Sequence, residues 1–596
     1  MSGTEPSDAR HPPRPRLALA VGVTGHRRLA EASAAAVRGH VDAVLAAVRE
    51  GVAAIAAREA DWFAETPTRL SVVSALADGS DQIVAEAGLK AGFELYAVLP
   101  FDRGLTRRDL PQNARKAFDR LLGGAARILE LPGTRAEREA AYAMAGRATV
   151  AHSGLLIAVW DGLAARGRGG TAEVVAGALA AGVPVVHVAL HADQPPVILW
   201  RGFDPLAAHE LDSAPSRGLE ALPEVLDVVI SPPAAQAERR ALTHYLAERQ
   251  RRLRHRVEFP LLQWVTGVRA IRGRDFSAPA YAQLTHEEWS PFRARCGDGH
   301  GVACELDELE GAYCWADGLA QHFAQFHRSG HVFNFIVGAI AVLVALGGLL
   351  WPAAKFAFAF IEFGLILLVI VNTRAGTAGS WQRRWLDYRQ LAERLRPLRS
   401  LTLLGIARPP QTGDAGTARW TDWYAAAAWR ALGPPAGRLD PAGAEALSRA
   451  LAEEEIGPQV DYHRASAHRG ERLDHRLHLF GTMLFSLTLA GCVLLLGGLF
   501  FFPEWTAKNS KLFVALSAGL PALGTAVFGI RTQGDFSGTA RRSLATAAGL
   551  DAIAREFAKG AALPRAASLF ESASAAMVAD LDDWRQEHAK HELMLP

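Results

Sequence analysis

The sequence predicts an α/β, Rossmann-like doubly wound parallel sheet at its N-terminal end, followed by an all-α membrane region of two transmembrane helical hairpins. Three observations carry this. Residues 17–190 alternate continuous apolar runs with Ala-rich helical stretches. Four long apolar segments gather after residue 330. The 596-residue chain is 50% hydrophobic and 21% charged, with a mean hydropathy of +0.07, which excludes a disordered tail protein and argues against a wholly soluble enzyme. A net charge of +2 leaves no global basic field, so no nucleic-acid partner is expected. Four cysteines in so long a chain exclude a disulfide scaffold.

Taken in order, residues 1–16 are polar and hold Pro12, Pro13 and Pro15, without the apolar core of a secretory signal; they read as a disordered tail. Residues 17–192 form the α/β unit, with strands at LALAVGVTG (17–25), LSVVSAL (70–76), FELYAVLPF (93–101), ARILELP (126–132), GLLIAVWDG (154–162) and PVVHVAL (184–190). In such a sheet, ligands bind beyond the carboxyl ends of the strands, where strand order switches. Three loops there suit phosphate. Thr24, Gly25, His26 and Arg27 follow the first strand. Ser74, Asp78, Gly79, Ser80 and Asp81 lie in the turn after the second, with Ser80 or Asp81 capping the next helix. Arg168, Gly169, Gly170 and Thr171 follow the fifth strand and open a helix with Glu173 in its first turn. Glycines admit close backbone approach, and a helix N-terminus favours an anion. Asp161 and Asp81 are candidates for ribose hydroxyls.

Residues 193–312 form a connector. Its Arg-rich stretch from Arg239 to Arg256 is broken by Glu248 and lacks a recognition motif, so it reads as a solvated or subunit-facing helix. Cys296, His300, Cys304 and Cys314 lie close in sequence and have the donors of a zinc site, but in no standard CxxC spacing; free thiols are expected and no metal is assigned.

The first membrane unit spans 313–400, with apolar segments at 332–351 and 356–372; a cytosolic linker covers 401–460; the second unit spans 461–596, with segments at 479–502 and 512–530 and cytosolic helices after them. Twenty apolar residues reach about 30 Å as a helix, the thickness of a hydrocarbon core. The turns within each pair are short, which predicts hairpins. Arg328, Arg374, Arg383 and Arg384 flank the first pair and Arg472, Arg476, Arg531, Arg541 and Arg542 the second, while the short turns carry only Lys355, and Lys508 and Lys511 offset by Glu504. This charge bias places both termini in the cytoplasm, with four spans in the inner membrane. GGLLWP at 347–352 recurs as GGLFFFP at 497–503, so the pairs read as copies that associate with one another or with further subunits, making a homo-oligomer the expectation. Glu362, within the second span, is either a functional intramembrane charge or a headgroup-level residue paired with Lys355.

The triple GVTGHRRL, SALADGSDQIVAEAGL and DGLAARGRGGTAEVV resembles the SLOG superfamily, related to the lysine-decarboxylase-like nucleotide-binding folds. The segments ADGLAQHFAQFHRSGHVFNF and RRWLDYRQLAERLR resemble SLATT domains, two-helix membrane effectors that accompany SLOG sensors. The resemblance implies a sensor of a nucleotide or nucleotide-derived signal, with no firm cofactor, fused to an oligomerising effector that permeabilises or gates the lipid bilayer in bacterial conflict or anti-phage defence. It leaves two alternatives. One is a membrane-anchored nucleoside-monophosphate hydrolase, whose relatives use a PGGxGTxxE loop; here Glu173 stands only two residues after Thr171, so it is expected to contact ribose hydroxyls or cap its helix and is the sole and disfavoured catalytic candidate. The other is a small transporter with Glu362 on its path, for which two hairpins are slender.

Overall fold

The computed structural model describes residues 10–163, 169–191, 193–204, 214–297, 300–410 and 419–588. The N-terminal region is a mixed α/β sheet. Strands β1 (Ala18–Gly25), β2 (Arg69–Ser74), β3 (Glu94–Leu99), β4 (Arg127–Glu130), β5 (Leu155–Val159) and β6 (Val185–Val188) alternate with helices α1 (Glu31–Arg58), α2 (Ser80–Lys90), α3 (Arg103–Asp109), α4 (Gln112–Gly123), α5 (Arg138–Ala151) and α6 (Thr171–Ala180). The apolar runs become strands because both faces are covered: every residue of β5 is buried, as are Ala18 to Val23 in β1. β1 pairs in parallel with β2 on one side and β5 on the other; β2, β3 and β4 continue outward, as does β6 beyond β5, all parallel. Chain order therefore reverses at β1.

The sheet is not parallel throughout. β7 (Val197–Leu199) and β8 (Ser216–Gly218) extend it antiparallel beyond β6, and two distant segments close the other edge. β10 (Ala436–Arg438) pairs in parallel with β4, and β9 (Val302–Ala303) pairs antiparallel with β10. Both segments were expected in connector and linker.

Helices α7 (Leu222–Ile230), α8 (Gln236–Leu246), α9 (Glu258–Val265) and α10 (Tyr281–Cys296) lead to α11 (Asp307–Leu350) and α12 (Lys355–Ala378). α13 (Trp381–Leu395), α14 (Leu398–Leu404), α15 (Trp420–Leu432) and α16 (Pro441–Leu451) follow. The chain ends in α17 (Gly457–Phe501), α18 (Pro503–Lys508), α19 (Ser510–Gly534), α20 (Phe536–Ala558) and α21 (Leu563–His588). One core runs from Leu17 to Met577, so connector and linker are structural parts of a single body. At its centre the Tyr245 ring of α8 lies 5.3 Å from Tyr388 of α13, 5.0 Å from Trp420 and 5.6 Å from Tyr424 of α15. The supposed tail joins it too: Pro12 and Pro15 are buried, Tyr424 donates to the Pro13 carbonyl, and Arg16 donates to the Pro67 carbonyl at 3.0 Å.

Among the described residues four helices are long and apolar enough to cross a membrane, and the four apolar stretches expected from the sequence lie on α11, α12, α17 and α19. α11 packs along α12 and α19, and α19 along α17, giving a row α12, α11, α19, α17. Small residues permit the close approach at its centre: a side chain on Gly519 would meet Leu343, and one on Gly529 would meet the Phe335 ring. The outer helices present large apolar side chains outward, with Phe356 94% and Phe500 81% exposed.

Candidate functional site

The reversal at β1 leaves a crevice above the carboxyl ends of β1 and β5, and the loops there are built to close on one another. Gly79, the N-cap of α2, has φ +84°, and an added Cβ would sit 2.6 Å from the Arg27 carbonyl oxygen. Gly25 leaves no more room: its Cβ would lie 2.7 Å from Ser80 and from the Val159 carbonyl. Ser80 ties the first two loops together, its N–H and hydroxyl both donating to the His26 carbonyl at 3.1 and 2.9 Å. Ser74 accepts from Leu76 N–H at 3.0 Å and stabilises the turn.

These loops surround a cavity of about 350 Å³. Its walls are Thr24 to Arg27 after β1, Ala75, Ala77 and Asp81 around the start of α2, Asp161 and Trp160 after β5, and Gly169 to Thr171 at the start of α6. The remaining wall is α5, which contributes Arg138, Tyr142, Gly146 and Thr149. The Arg27 guanidinium stacks 3.9 Å from the Tyr142 ring centroid. Tyr142 donates to Asp109 at 2.9 Å, and Arg138 donates to both oxygens of the same carboxylate at 3.0 Å. Burial, with the Asp109 carboxylate adding to it, pushes the Tyr142 hydroxyl up to about 12, so it stays neutral.

Asp81 is 6% exposed, and burial pushes its carboxyl up to about 7, opposed by the Ala77 N–H and by Arg27. A neutral acid there offers a hydroxyl donor and lowers repulsion toward an anion. Across the crevice, Asp161 N–H points at His26 Nε2 (3.2 Å), and the Asp161 carboxylate lies 3.3 Å from the same nitrogen. The cavity thus combines two guanidinium groups and a helix start, which can hold an anion, with acids able to bond hydroxyl groups.

The structure brings Thr24, Gly25, His26, Arg27, Asp81, Asp161, Gly169, Gly170 and Thr171 together on the cavity. Ser74, Gly79 and Ser80 lie beneath as loop architecture, and Asp78 and Glu173 are absent from the lining. Glu173 accepts from Gly169 N–H and so braces its own loop. α2 begins at Ser80 with Gly79 as N-cap and no side-chain cap, rather than the expected Ser80 or Asp81 cap. Arg168 lies outside the described residues. Arg138, Tyr142 and Asp109 were not singled out in the sequence; the only signal was Arg138 and Tyr142 four apart on one helical face.

Elsewhere, Cys296 and Cys314 are buried, His300 hydrogen-bonds the Arg295 carbonyl at 2.8 Å, and no three ligating side chains converge among the described residues. Glu362 is half-buried on α12, with no ion pair to Lys355 among the described residues. The Arg239–Arg256 stretch is not one helix: α8 ends at Leu246, Arg239 binds Glu59 at 3.1 Å, and Arg256 pairs with Glu258 at 2.8 Å.

The opposite side of α5 faces the helical region. Arg147 donates to Glu571 of α21 at 2.7 Å and to the Pro564 carbonyl at 3.2 Å. The other Glu571 oxygen accepts from Arg408 N–H at 2.9 Å, and the Arg408 side chain donates to the Val150 carbonyl at 3.2 Å. His152, just after α5, bonds the Gly405 carbonyl at 3.0 Å and stacks 5.2 Å from Trp429. One helix therefore lines the cavity and touches both the chain leaving α14 and the chain following α20.

Residues 312–401 match the family described as "Protein of unknown function (DUF4231)". The matched stretch runs from α11 through α14 and leaves the cavity outside it. No curated protein and no solved structure matches the chain.

Proposed function

We propose that the chain is a nucleotide-sensing membrane effector: a Rossmann-like, SLOG-type domain binds a nucleotide or nucleotide-derived signal at the β1–β5 crevice and controls two SLATT-type hairpins in the bacterial inner membrane. Both termini face the cytoplasm, and subunits assemble to open or disrupt the bilayer, in keeping with an anti-phage role. The observation that carries the reading is the cavity, where Arg27, Arg138 and the start of α6 converge at the point where strand order reverses. The double contact of α5 supplies a route to the membrane helices. A ligand switches the protein only if it binds two arrangements unequally, and a helix held on both sides is placed to differ between them. The row of four helices, too thin to enclose a pore, favours assembly. Hydrolysis is disfavoured because Glu173 is spent on the Gly169 N–H.

The test uses full-length protein in dye-loaded vesicles, with a panel of nucleoside mono-, di-, tri- and cyclic phosphates, and calorimetry for binding. A nucleotide is expected to bind and to change leakage. Arg27→Ala is expected to weaken binding about tenfold or more, the worth of one charged hydrogen bond, and Arg147→Ala to spare binding but abolish the leakage response. Leakage indifferent to every nucleotide and to Arg27→Ala would overturn the proposal.

A further inference from the structure

We infer that residues 253–277 form a membrane-surface foot, whose helix α9 lies in the headgroup layer of the cytoplasmic leaflet and takes anionic lipid as its partner. This rests on the reading that α11, α12, α17 and α19 cross the bilayer, and it adds a contact made by a segment outside those helices.

The segment is a closed excursion. Its ends are pinned by a bridge between Leu253 and Ser277, with Arg254 N–H donating to the Phe276 carbonyl and Ala278 N–H to the Arg252 carbonyl, both at 2.8 Å. Its inner side is fixed to both helix pairs. Phe259 N–H donates to Ser329 Oγ of α11 at 3.1 Å, Phe259 stacks on Phe536 at 6.3 Å, and Arg476 of α17 donates to the Thr266 carbonyl. Val268 is buried in one cluster with Val332, Leu473, Leu477 and Ile530. These anchors mark the membrane boundary. Val332 starts the first apolar stretch, Leu477 lies two residues before the third, and Ile530 ends the fourth. At 1.5 Å rise per residue, Val332, Leu477 and Ile530 are within a helical turn of the polar–apolar transition, and Leu473 and Phe536 within about two turns. The foot therefore sits at headgroup level.

Its outer side suits that place. Leu261, Trp264 and Val265, at i, i+3 and i+4, share one face of α9 and are 44%, 54% and 69% exposed. Leu253 and Phe276 at the base of the excursion are exposed as well, so among the described residues half of the large apolar side chains exposed outside the four apolar stretches belong to this one segment. Exposed Arg272 and Arg274 follow in the same loop. A short helix with an apolar face, a tryptophan and flanking arginines is the composition of an interfacial element, and the cations favour anionic headgroups.

The experiment places an environment-sensitive label on full-length protein in vesicles containing anionic lipid, using Leu261→Cys and Val265→Cys with Cys304 and Cys492 replaced by serine. Lipids spin-labelled near the headgroup are expected to quench both labels while aqueous iodide leaves them bright. Leu544→Cys on α20 should show the opposite response, and Ile366→Cys, near the middle of its apolar stretch, should be quenched by lipids labelled deep in the acyl chain. Iodide quenching at 261 and 265, or protection from both quenchers by a second copy or another protein, would overturn the inference alone. Failure of deep quenching at 366 would remove the membrane reading with it.

Discussion

The two long apolar helix pairs share their local construction and differ in their surroundings. Each first helix ends in the same way: Trp351 N–H bonds the Gly347 carbonyl at 2.9 Å, and Phe502 N–H bonds that of Gly498 at 2.7 Å. Each second helix is followed by a residue in the left-handed region, Ser380 at φ 48° and Asp535 at φ 38°, which starts α13 and α20 respectively. From there they diverge. α13 buries every residue from Trp385 to Leu395 except Arg389, including Asp387, Glu393 and Arg394. α20 buries a stripe of Ala540, Ser543, Ala547 and Leu550, spaced three and four apart, and leaves its other face open. The same helical punctuation thus yields one pair seated in the α/β body and one pair at its margin. Turn chemistry is repeated in both; partners for buried charges are supplied only to the first.

The largest expected effect lies in that buried network. Burial alone would raise the Glu393 carboxyl, but Arg389 and Arg396 outweigh it and hold it below its ordinary value. Arg396 donates to it at 2.8 Å and to the Tyr313 hydroxyl at 2.8 Å. Glu393→Ala leaves the buried Arg396 and the half-buried Arg389 short of a partner and should cost about 3–5 kcal/mol, read as lost thermal or denaturant resistance of the full chain in detergent. A cost no larger than that of an exposed pair would erase the contrast between the helix pairs. Next comes the polar joint of the first pair, where Asn372 donates to Asn334 Oδ1 at 2.7 Å and to the Gly330 carbonyl at 3.2 Å, and accepts from Arg256. Asn372→Ala should cost about 1–3 kcal/mol by the same measurement.

A third, smaller effect comes from the cavity at the β1–β5 crevice. Because folding raises the Asp81 carboxyl from 3.8 to about 7, the folded chain holds a proton that the unfolded chain releases. Its stabilising contribution is therefore full below the unfolded value and is lost as pH rises through about 7. Anion binding should follow the same sign, weakening on the order of tenfold (about 1.4 kcal/mol) across that window. Asp81→Asn should flatten the part of the profile due to this residue. A profile unchanged by the substitution would remove Asp81 from the electrostatics of the site.

What could be read from the sequence follows from the same physics. β1, β2, β3 and β5 were visible because burial on two faces writes an uninterrupted apolar run, and the four long apolar helices because their apolar runs last about twenty residues, the length that can cross a membrane. β9 and β10 were invisible: each is two or three residues long, and each is placed by a partner more than a hundred residues away, β10 by β4 and β9 by β10. The cavity loops were legible through glycine and helix-start chemistry, whereas Arg138 and Tyr142 look like ordinary surface residues until α5 is laid across the sheet. Ser80 was assigned to a ligand or a cap because a serine at a helix start commonly does one or the other. Its actual bond to the His26 carbonyl depends on two loops meeting, which no local pattern encodes. The charges of α13 likewise suggest a solvated helix, and only the tertiary partners show otherwise.

The smallest effect tests the marginal pair. Arg531 of α19 makes a two-pronged contact with Asp474 of α17, at 2.8 and 3.0 Å, which resembles the α13 pairs in geometry. Its side chains, however, are 31% and 17% exposed, against 7% for both members of the Glu393–Arg396 pair. Water reaches the second pair's bridge and reclaims either partner when the other is lost. Asp474→Asn should therefore cost less than about 1 kcal/mol, and raising salt should shrink it further. If it cost as much as Glu393→Ala, the second pair would be held as rigidly as the first, and exposure would not be what separates two copies of one helical design.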